Sequence, residues 1–214
     1  MTADSSAPNP YFVLDPPPGD QPGWHTMTEL ISGSGLLRAK VTATAAALGT
    51  DDLRVAASID HLGVTARIVS PVLAHLARTQ TVPPVSPDRM WWRPAQPGPM
   101  ALAAHLEPGL PATPMALLDG VVRPVLVPLL HAYGSGFHVS SRVLRGNVAS
   151  ALDGARRAID STALDPLVRD VLGLGELSGT AAQLPPAFRR ASCCLLYRVP
   201  GRGLCGDCVL TPRA

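Results

Sequence analysis

The four cysteines of this chain lie in one short stretch near its end. Cys193 and Cys194 are adjacent, ten residues separate them from Cys205, and two further residues precede Cys208. Thiolates are soft ligands, and four of them on so short a loop suit either an iron-sulfur cluster or tetrahedral zinc. We therefore expect this stretch to fold around a metal centre, which constrains the chain more than any other feature.

The spacing of the cysteines favours a binuclear cluster. Cys205 and Cys208 form a knuckle that presents both sulfurs to one ion, because the glycine between them lets the backbone turn tightly. Adjacent side chains diverge in a strand and in a helix, so Cys193 and Cys194 are poorly placed to chelate a single zinc. We expect this adjacent pair to bind different irons of a 2Fe-2S cluster.

Two other interpretations of the cysteines stay open. A purely structural zinc clip is one, although zinc knuckles usually have residues between both pairs of ligands. The other is a pair of structural disulfides, but disulfide geometry is strained between adjacent residues such as Cys193 and Cys194. The start of the chain also lacks the basic and apolar regions of a secretory signal. We therefore expect reduced thiols in a cytoplasmic protein.

The motif around the cysteines has two parts. It reads Arg189-Arg190-Ala191-Ser192-Cys193-Cys194-Leu195-Leu196-Tyr197-Arg198-Val199-Pro200-Gly201, followed by Leu204-Cys205-Gly206-Asp207-Cys208. This pattern resembles the C-terminal 2Fe-2S segment of the FhuF-like ferric siderophore reductases and covers about the last tenth of the chain. The stretch from Gly146 to Leu152 is also similar to that family, although no residue role follows from it.

The resemblance implies a function for the chain. It implies a cytoplasmic oxidoreductase that receives an electron on a 2Fe-2S cluster and passes it to iron(III) held in a siderophore. The chain has no glycine-rich dinucleotide fingerprint, so the electron is expected from a separate ferredoxin or flavoprotein reductase. Two alternatives are a 2Fe-2S electron carrier or redox sensor without its own substrate, and a zinc-stabilised binding module.

Arginines surround the cysteine motif. They are Arg189, Arg190, Arg198 and Arg202. Positive charge beside anionic thiolates stabilises the reduced state of a cluster, so we expect these residues to raise the reduction potential. They would also attract an anionic ferric chelate or an acidic electron donor. The competing interpretation is that they are ordinary surface arginines.

Charge and hydropathy limit the other partners. The formal net charge is only +2, which is too small to indicate nucleic acid as a partner. Apolar residues make up 46% of the chain, but the most apolar stretch, Leu117 to Tyr133, is interrupted by charged residues and prolines. We therefore expect no transmembrane segment, and peripheral membrane contact stays open.

Helical periodicity dominates the rest of the chain. The fold class we expect is mainly α (α+β), with a small β-hairpin and a C-terminal cysteine-rich 2Fe-2S clip. Residues 1–24 form a proline-rich leader with one short edge strand, residues 25–185 a helical domain that faces the siderophore, and residues 186–214 the cluster-binding segment.

Individual elements follow from local signals. The pattern predicts a helix from Leu36 to Leu48 that ends at Gly49, and a second from Leu53 that stops near Gly63. The pair Ser70-Pro71 is expected to begin another helix, and Ser140 or Ser141 a longer one. Two short apolar runs, Met90–Arg93 and Met100–Ala103, predict the hairpin.

The aromatic residues and histidines have weaker indications. Trp91 and Trp92 could form a platform for a siderophore, but adjacent tryptophans on a strand more often put one ring in the core and one at the surface. The six histidines are scattered and none stands at ligand spacing from another. We expect them to be surface residues or hydrogen-bonded core residues.

Overall fold

The computed structural model describes residues 9–33, 35–95, 98–159 and 161–211. These residues are about half helical, with small antiparallel sheets, which confirms the predicted mainly α (α+β) class. Residues 1–8 of the predicted leader and 212–214 of the predicted cluster-binding segment lie outside the described residues. The division at residues 24 and 185 stays a prediction.

The elements follow one another in this order. The helices are α1 (Met27–Ile31), α2 (Leu36–Leu48), α3 (Leu53–Thr79), α4 (Pro114–Leu117), a π-helix (Leu118–Leu126), α5 (Val127–Phe137), α6 (Ser141–Ala158) and α7 (Leu164–Val171). The strands are β1 (His25–Thr26), β2 (Thr81–Val82), β3 (Met90–Arg93), β4 (Ala101–Ala104), β5 (Leu110–Pro111), β6 (Ala181–Gln183) and β7 (Arg189–Arg190).

Two predicted helix ends are confirmed by their caps. Helix α2 ends at Gly49, whose φ of 65° is the left-handed conformation that glycine adopts without strain. Helix α6 begins after Ser140, whose hydroxyl accepts a hydrogen bond from the N–H of Val143 at 3.4 Å. The apolar face of α6 is buried against α3, so the core lies between these two helices.

The predicted break in the second helix is wrong. Helix α3 runs without interruption through Gly63 and Pro71. An internal glycine costs about 1 kcal/mol and an internal proline about 3 kcal/mol. Most residues of α3 are buried. Each buried apolar side chain contributes about 1.5 to 3 kcal/mol, so the buried side chains together offset both costs. The hydroxyl of Ser70 donates to the carbonyl of Ala66 at 2.7 Å and does not cap a new helix.

The predicted hairpin is confirmed, with its second strand one residue later than expected. Strand β3 pairs with both β1 and β4, and Trp92 lies opposite Leu102. The tryptophans divide as the alternation of a strand requires, since Trp92 is buried and Trp91 is half-buried. Gln96 and Pro97, between the two strands, lie outside the described residues.

The described part of the proline-rich leader, residues 9–24, packs on the helical core without the expected edge strand. Tyr11 to Leu14 form no strand, and only Asp15 makes a parallel bridge with Ala103. The buried guanidinium of Arg67 on α3 donates to the carbonyls of Tyr11 and Val13. These bonds fix residues 11–13 to α3 through their backbone, and the side chain of Leu14 packs against the hydrophobic core.

Helices α4 and α5 and the π-helix between them form one continuous run, Pro114–Phe137. This run is long and apolar enough to cross a membrane, by length and composition alone. Half of its most apolar window is buried within the protein, as it would be for a core helix. The run also contains Pro124, which lacks a backbone N–H, inside the π-helix. No clear transmembrane span is therefore found in the described part of the chain.

A buried carboxylate joins three helices of the core. Asp60 on α3 accepts hydrogen bonds from Lys40 and Thr44 of α2, each at 2.7 Å. It also accepts one from the hydroxyl of Tyr133 on α5 at 2.5 Å. Burial, and then the adjacent carboxylate, raise the pKa of Tyr133 well above its usual value. Because all three donors reach one side chain, Asp60 fixes the positions of α2 and α5 relative to α3.

Replacing Tyr133 by phenylalanine should destabilise the fold. The change Tyr133→Phe removes one donor to a buried carboxylate, which costs about 1 to 3 kcal/mol of the free energy of unfolding. Urea denaturation followed by circular dichroism measures this difference. The matched control is Tyr197→Phe, because Tyr197 is half exposed and its hydroxyl has no described partner. Equal losses of stability in both variants would contradict the role of Asp60.

Candidate metal centre

The cysteines lie in two irregular turns that follow β7. Cys193 and Cys194 follow this strand after two intervening residues, and the turn from Cys205 to Cys208 is closed by a backbone hydrogen bond of 3.2 Å. The second turn returns to the first, because the N–H of Arg190 donates to the carbonyl of Asp207 at 3.2 Å. The backbone therefore brings the two cysteine pairs together.

All four cysteines are free thiols, so the disulfide interpretation is wrong. The sulfurs of Cys194 and Cys205 are 3.5 Å apart. The N–H of Leu195 donates to the sulfur of Cys193 at 3.3 Å, and the N–H of Leu210 donates to that of Cys208 at 3.4 Å. Backbone N–H groups directed at sulfur stabilise thiolates and the clusters that they bind.

The turn after the adjacent pair has a strained residue. Leu195 has a φ of 70°, the left-handed conformation that costs a residue with a Cβ atom roughly 1 to 2 kcal/mol. In this conformation its N–H faces back toward Cys193 and the chain turns into a short 3-10 helix, Leu196–Arg198. Gly206, by contrast, is not left-handed, so the Cys205 turn does not depend on the glycine conformation that we expected.

The four thiols differ in burial. Cys194 is 1% exposed and Cys208 is 3% exposed, whereas Cys193 and Cys205 are half-buried. The site therefore lies at the edge of the core, with one thiol of each pair inside and the other toward the surface.

The thiols also differ in acidity. The hydrogen bond between the Cys194 and Cys205 thiols lowers the pKa of Cys194 to about 6, although the burial of Cys194 acts in the opposite direction. The same hydrogen bond raises the pKa of Cys205 far above its usual value. Burial raises the pKa of Cys193. Cys194 is consequently the thiol of this pair that gives up its proton first.

A single metal ion has no complete ligand set in this arrangement. Among residues 9–33, 35–95, 98–159 and 161–211, no three His, Cys, Asp or Glu side chains converge closely enough to hold one ion. The sulfurs of Cys194 and Cys205 instead form one close pair. Cys193 is adjacent to Cys194 in the sequence, and Cys208 lies three positions after Cys205.

Buried polar side chains of α3 and α6 hold the first cysteine turn. The hydroxyl of Ser58 donates to the carbonyl of Cys194 at 2.8 Å. The side-chain amide of Asn147 donates to the carbonyl of Ser58 at 2.8 Å, and Arg190 donates to the other end of that amide at 2.5 Å. Sequence reasoning missed Ser58 and Asn147, because these contacts join residues 136, 89 and 43 positions apart.

Gly146 lets the cysteine segment, residues 190–211, approach α6 closely. A Cβ atom on Gly146 would lie 2.2 Å from the hydroxyl oxygen of Ser192 and 3.2 Å from the guanidinium of Arg190. The hydroxyl of Ser192 is already committed, since it donates to the carbonyl of Arg142 at 3.0 Å. Gly146 and Asn147 begin the stretch from Gly146 to Leu152, and both contact the segment that holds the cysteines.

The four arginines have different environments. Arg189 donates to the carbonyls of Cys208, Val209 and Thr211, so it holds the end of the described chain in place. Arg190 is fully buried. Arg198 is exposed and pairs with Asp52 at 3.3 Å, and Arg202 is exposed. Arg190 therefore differs from the ordinary surface arginine that was the competing interpretation.

One histidine departs from expectation. His61 on α3 is fully buried, and neither of its ring nitrogens has a hydrogen-bond partner. Its ring packs edge-on against Tyr133, with centroids 5.1 Å apart. Burial, reinforced by the charge of Arg190 and opposed by that of Asp60, lowers the pKa of His61 to about 3. The imidazole is therefore neutral in the folded protein.

The tryptophan platform lies away from the cysteines. Trp92 lines a cavity of about 750 Å³ together with Lys40 and Thr44 of α2. Lys40 and Thr44 contact Asp60, whereas the cysteine turn contacts Ser58. Residues two apart on a helix point about 200° apart, so the cavity and the cysteines lie on opposite sides of α3.

These observations fit a thiolate-ligated iron-sulfur cluster. The site supplies four thiols, two N–H groups directed at sulfur, and the buried cation of Arg190 with two N–H groups that have no partner. A cluster held by four thiolates is anionic, and such a charge requires donors and positive charge around it.

Comparison with known families agrees with this geometry. Residues 190–210 match the FhuF 2Fe-2S C-terminal domain. The match covers all four cysteines and confirms both the resemblance and the 2Fe-2S cofactor. No curated protein is significantly similar to the chain.

Adding a methyl group at Gly146 should expel the cysteine segment from its place. In Gly146→Ala, the new Cβ atom displaces Ser192, so we expect less iron and sulfide per chain and a loss of about 1 to 3 kcal/mol in unfolding free energy. The matched control is Gly154→Ala on the same helix, where the added Cβ has no atom within 4 Å. That variant should keep its cluster and gain up to about 1 kcal/mol. A full complement of iron in Gly146→Ala would refute the close approach.

His61 should make the fold sensitive to acid. The unfolded chain binds a proton at His61 below about pH 6.5, and the folded chain does not until about pH 3, so stability falls as the pH falls through this window. The slope from this one group approaches about 1.4 kcal/mol per pH unit. Urea denaturation between about pH 7 and about pH 5.5 should show a shallower slope in His61→Leu than in the wild type. The exposed His131 provides the control variant His131→Leu, and a slope that is equal in both variants would disprove the assignment.

Proposed function

We propose that this protein is a ferric siderophore reductase, which transfers one electron to siderophore-bound iron(III) and releases iron(II) in the cytoplasm. The observation that carries the proposal is the coincidence of two features in one segment. Residues 190–210 match the FhuF 2Fe-2S C-terminal domain, and the same residues form a cluster of free thiols at the edge of the protein. The coarser part, an iron-sulfur protein related to siderophore reduction, follows from the match itself.

The ligands that we propose for the 2Fe-2S cluster are the four thiols. They are Cys193, Cys194, Cys205 and Cys208. The contact between Cys194 and Cys205 is one reason, because it joins the two turns at their sulfurs. The adjacent Cys193 and Cys194 would then hold different irons, which the divergence of neighbouring side chains favours.

The chemistry of this reaction requires little of the protein. When bound, a 2Fe-2S cluster supplies a site that gains and loses one electron. Siderophore iron(III) takes up one electron to become iron(II), and no bond to a protein atom forms or breaks. The hard oxygen ligands of a siderophore hold iron(II) weakly, so the metal can leave. The protein has to bind the cluster, keep bulk water from its buried side and leave another side open to a bulky substrate.

The surface beside the cysteines suits this role. Tyr197, Leu204 and Leu210 are among the exposed large apolar side chains of the described residues, and all three lie in the cysteine segment. The half-buried Cys193 and Cys205 lie in the same segment. We propose that a ferric siderophore contacts this surface, and that exposed Arg198 and Arg202 attract it when it is anionic.

The electron is proposed to come from a second protein. A small ferredoxin or a flavoprotein reductase would bind reversibly, and an acidic partner would be attracted by the same exposed arginines. A cytoplasmic location accords with four free thiols, because disulfides persist mainly in oxidising compartments. Peripheral membrane contact stays an expectation that comes from the apolar composition of the chain.

A second candidate function is a 2Fe-2S electron carrier or redox sensor with no substrate of its own. Two of the thiols are half-buried, and this supports a carrier or sensor as well as a reductase, because electron exchange with a protein partner also needs an accessible cluster. The two functions differ in what the reduced protein reacts with.

Anaerobic purification followed by stopped-flow mixing tests the proposal. The purified protein should be coloured and contain two irons and two labile sulfides per chain, as the composition of a 2Fe-2S cluster requires. After reduction with dithionite and removal of the excess, mixing with a ferric trihydroxamate siderophore should reoxidise the cluster. An iron(II)-specific chelator should report one iron(II) per cluster electron.

Other outcomes separate the alternatives. A reduced cluster that persists with ferric trihydroxamate and ferric tricatecholate, but is reoxidised by a redox protein, would indicate an electron carrier. Colourless protein with bound zinc and no labile sulfide would indicate a zinc module and refute the reductase. Replacing Cys205 by alanine should abolish the visible absorption in the reductase and in the carrier alike.

A further inference from the structure

Arg190 is a buried cation, and it forms no ion pair with any described carboxylate. Its side chain is 0% exposed and is among the largest fully buried side chains in the described residues. Its only described side-chain hydrogen bond is the one from Nη2 to the Asn147 amide oxygen, at 2.5 Å. Its Nε and Nη1 atoms have no partner, and no described Asp or Glu carboxylate is close enough to form an ion pair with it.

Such a charge is expensive unless something negative lies beside it. A guanidinium cannot release its proton at any ordinary pH, so burial cannot neutralise Arg190. Burying an unpaired charge is strongly unfavourable, and an unpaired donor adds to this cost. The side chain is therefore placed for an anion that the amino acids of the core do not supply.

The cysteine thiols are the groups that can supply this negative charge. Arg190 interacts electrostatically with both Cys193 and Cys194. The carboxylate of Asp207 has one buried oxygen without a hydrogen-bond partner, but it interacts with Cys194 and Cys205 and forms no ion pair with Arg190. The backbone N–H of Arg190 does bind the Asp207 carbonyl, which fixes the arginine between the two cysteine turns.

The guanidinium is held in this position by a defined chain of side chains. Asn147 accepts from Arg190 with its oxygen and donates to the Ser58 carbonyl with its nitrogen. Ser58 in turn donates to the carbonyl of Cys194. Both Asn147 and Ser58 are fully buried, so water does not compete for these bonds. Arg190 and the cysteine turn are therefore positioned by the same residues.

We propose that Arg190 is the internal counter-cation of the 2Fe-2S cluster, and that Asn147 and Ser58 are positioning residues that hold it there. This inference rests on the proposed cluster ligation by the four cysteines. A fixed positive charge stabilises the more negative, reduced state of a cluster, so Arg190 raises the reduction potential. Arg198, which pairs with Asp52, and Arg202 are both exposed, so solvent and salt screen their charges and both affect the potential much less.

A redox titration of the cluster-loaded protein tests this role. The reduced cluster is followed by electron paramagnetic resonance at fixed pH, in the wild type, Arg190→Gln, Arg190→Lys and the exposed control Arg202→Gln. We expect Arg190→Gln to shift the one-electron equilibrium toward the oxidised state by at least about tenfold, which is 59 mV. Arg190→Lys keeps the charge and should shift it far less, and Arg202→Gln should shift it by less than about twofold.

Added salt separates an internal charge from a surface charge. The difference between the wild type and Arg190→Gln should persist at high ionic strength, because salt does not screen a buried charge effectively. Any difference for Arg202→Gln should disappear under the same conditions. A merely structural role for Arg190 would change cluster content and stability but leave the potential of the retained clusters unchanged.

A second variant decides the matter if Arg190→Gln does not retain its cluster. Asn147→Asp keeps the oxygen that accepts from Arg190 and adds a negative charge beside it, which should cancel the field of the arginine. A lower potential in Asn147→Asp supports the inference, and an unchanged potential overturns it. An unchanged potential in cluster-loaded Arg190→Gln overturns it equally.

Failure of this inference differs from failure of the proposed function. The function fails when wild-type protein contains no 2Fe-2S cluster, or when its reduced cluster does not react with a ferric trihydroxamate. The inference fails when the wild type carries a reactive cluster whose potential does not depend on the charge at position 190.

Discussion

The hydrogen bonds between the cysteine segment and the buried polar groups of α3 and α6 determine the structure of the site. The segment that holds the cysteines has almost no regular secondary structure, so its own backbone cannot fix its shape. Ser58 and Asn147 supply the fixed points, and both are fully buried. Leaving such a donor or acceptor unpaired costs about 1 to 3 kcal/mol, so the segment is held wherever these groups are satisfied.

This anchoring also explains the unequal burial of the thiols. The carbonyl of Cys194 is tied to Ser58, and its side chain is consequently buried, whereas Cys193 on the other side of the backbone is half-buried. The close packing at Gly146 permits this depth, because any larger residue there would collide with Ser192. A cluster held by these thiols would have one side against the helical core and another toward the surface, which suits the proposed electron transfer to a large substrate.

Local signals in the sequence were sufficient for part of the fold and for the metal site. The end of α2 at Gly49, the hairpin of β3 and β4 and the four clustered thiols all follow from residues near one another in the chain. The uninterrupted α3 could not be predicted in this way, because Pro71 is a local helix breaker and only tertiary burial outweighs its cost. The role of Ser58 could not be predicted from local signals either, because Ser58 contacts Cys194, which is 136 positions away in the sequence.

Helix α3 also decides which surface can exchange electrons with the cysteines. The cavity beside Trp92 is the more enclosed place for a ligand, but it lies across α3, on the side of Asp60. A helix with its side chains is about 10 to 12 Å across, so a ligand in that cavity is at least this far from the cysteine turn. The apolar surface of Tyr197 and Leu204 has no helix between it and the thiols, because it belongs to the same segment. For the proposed reduction of a ferric chelate, proximity therefore favours electron transfer at the cysteine segment, and the chelate does not need to enter the helical domain.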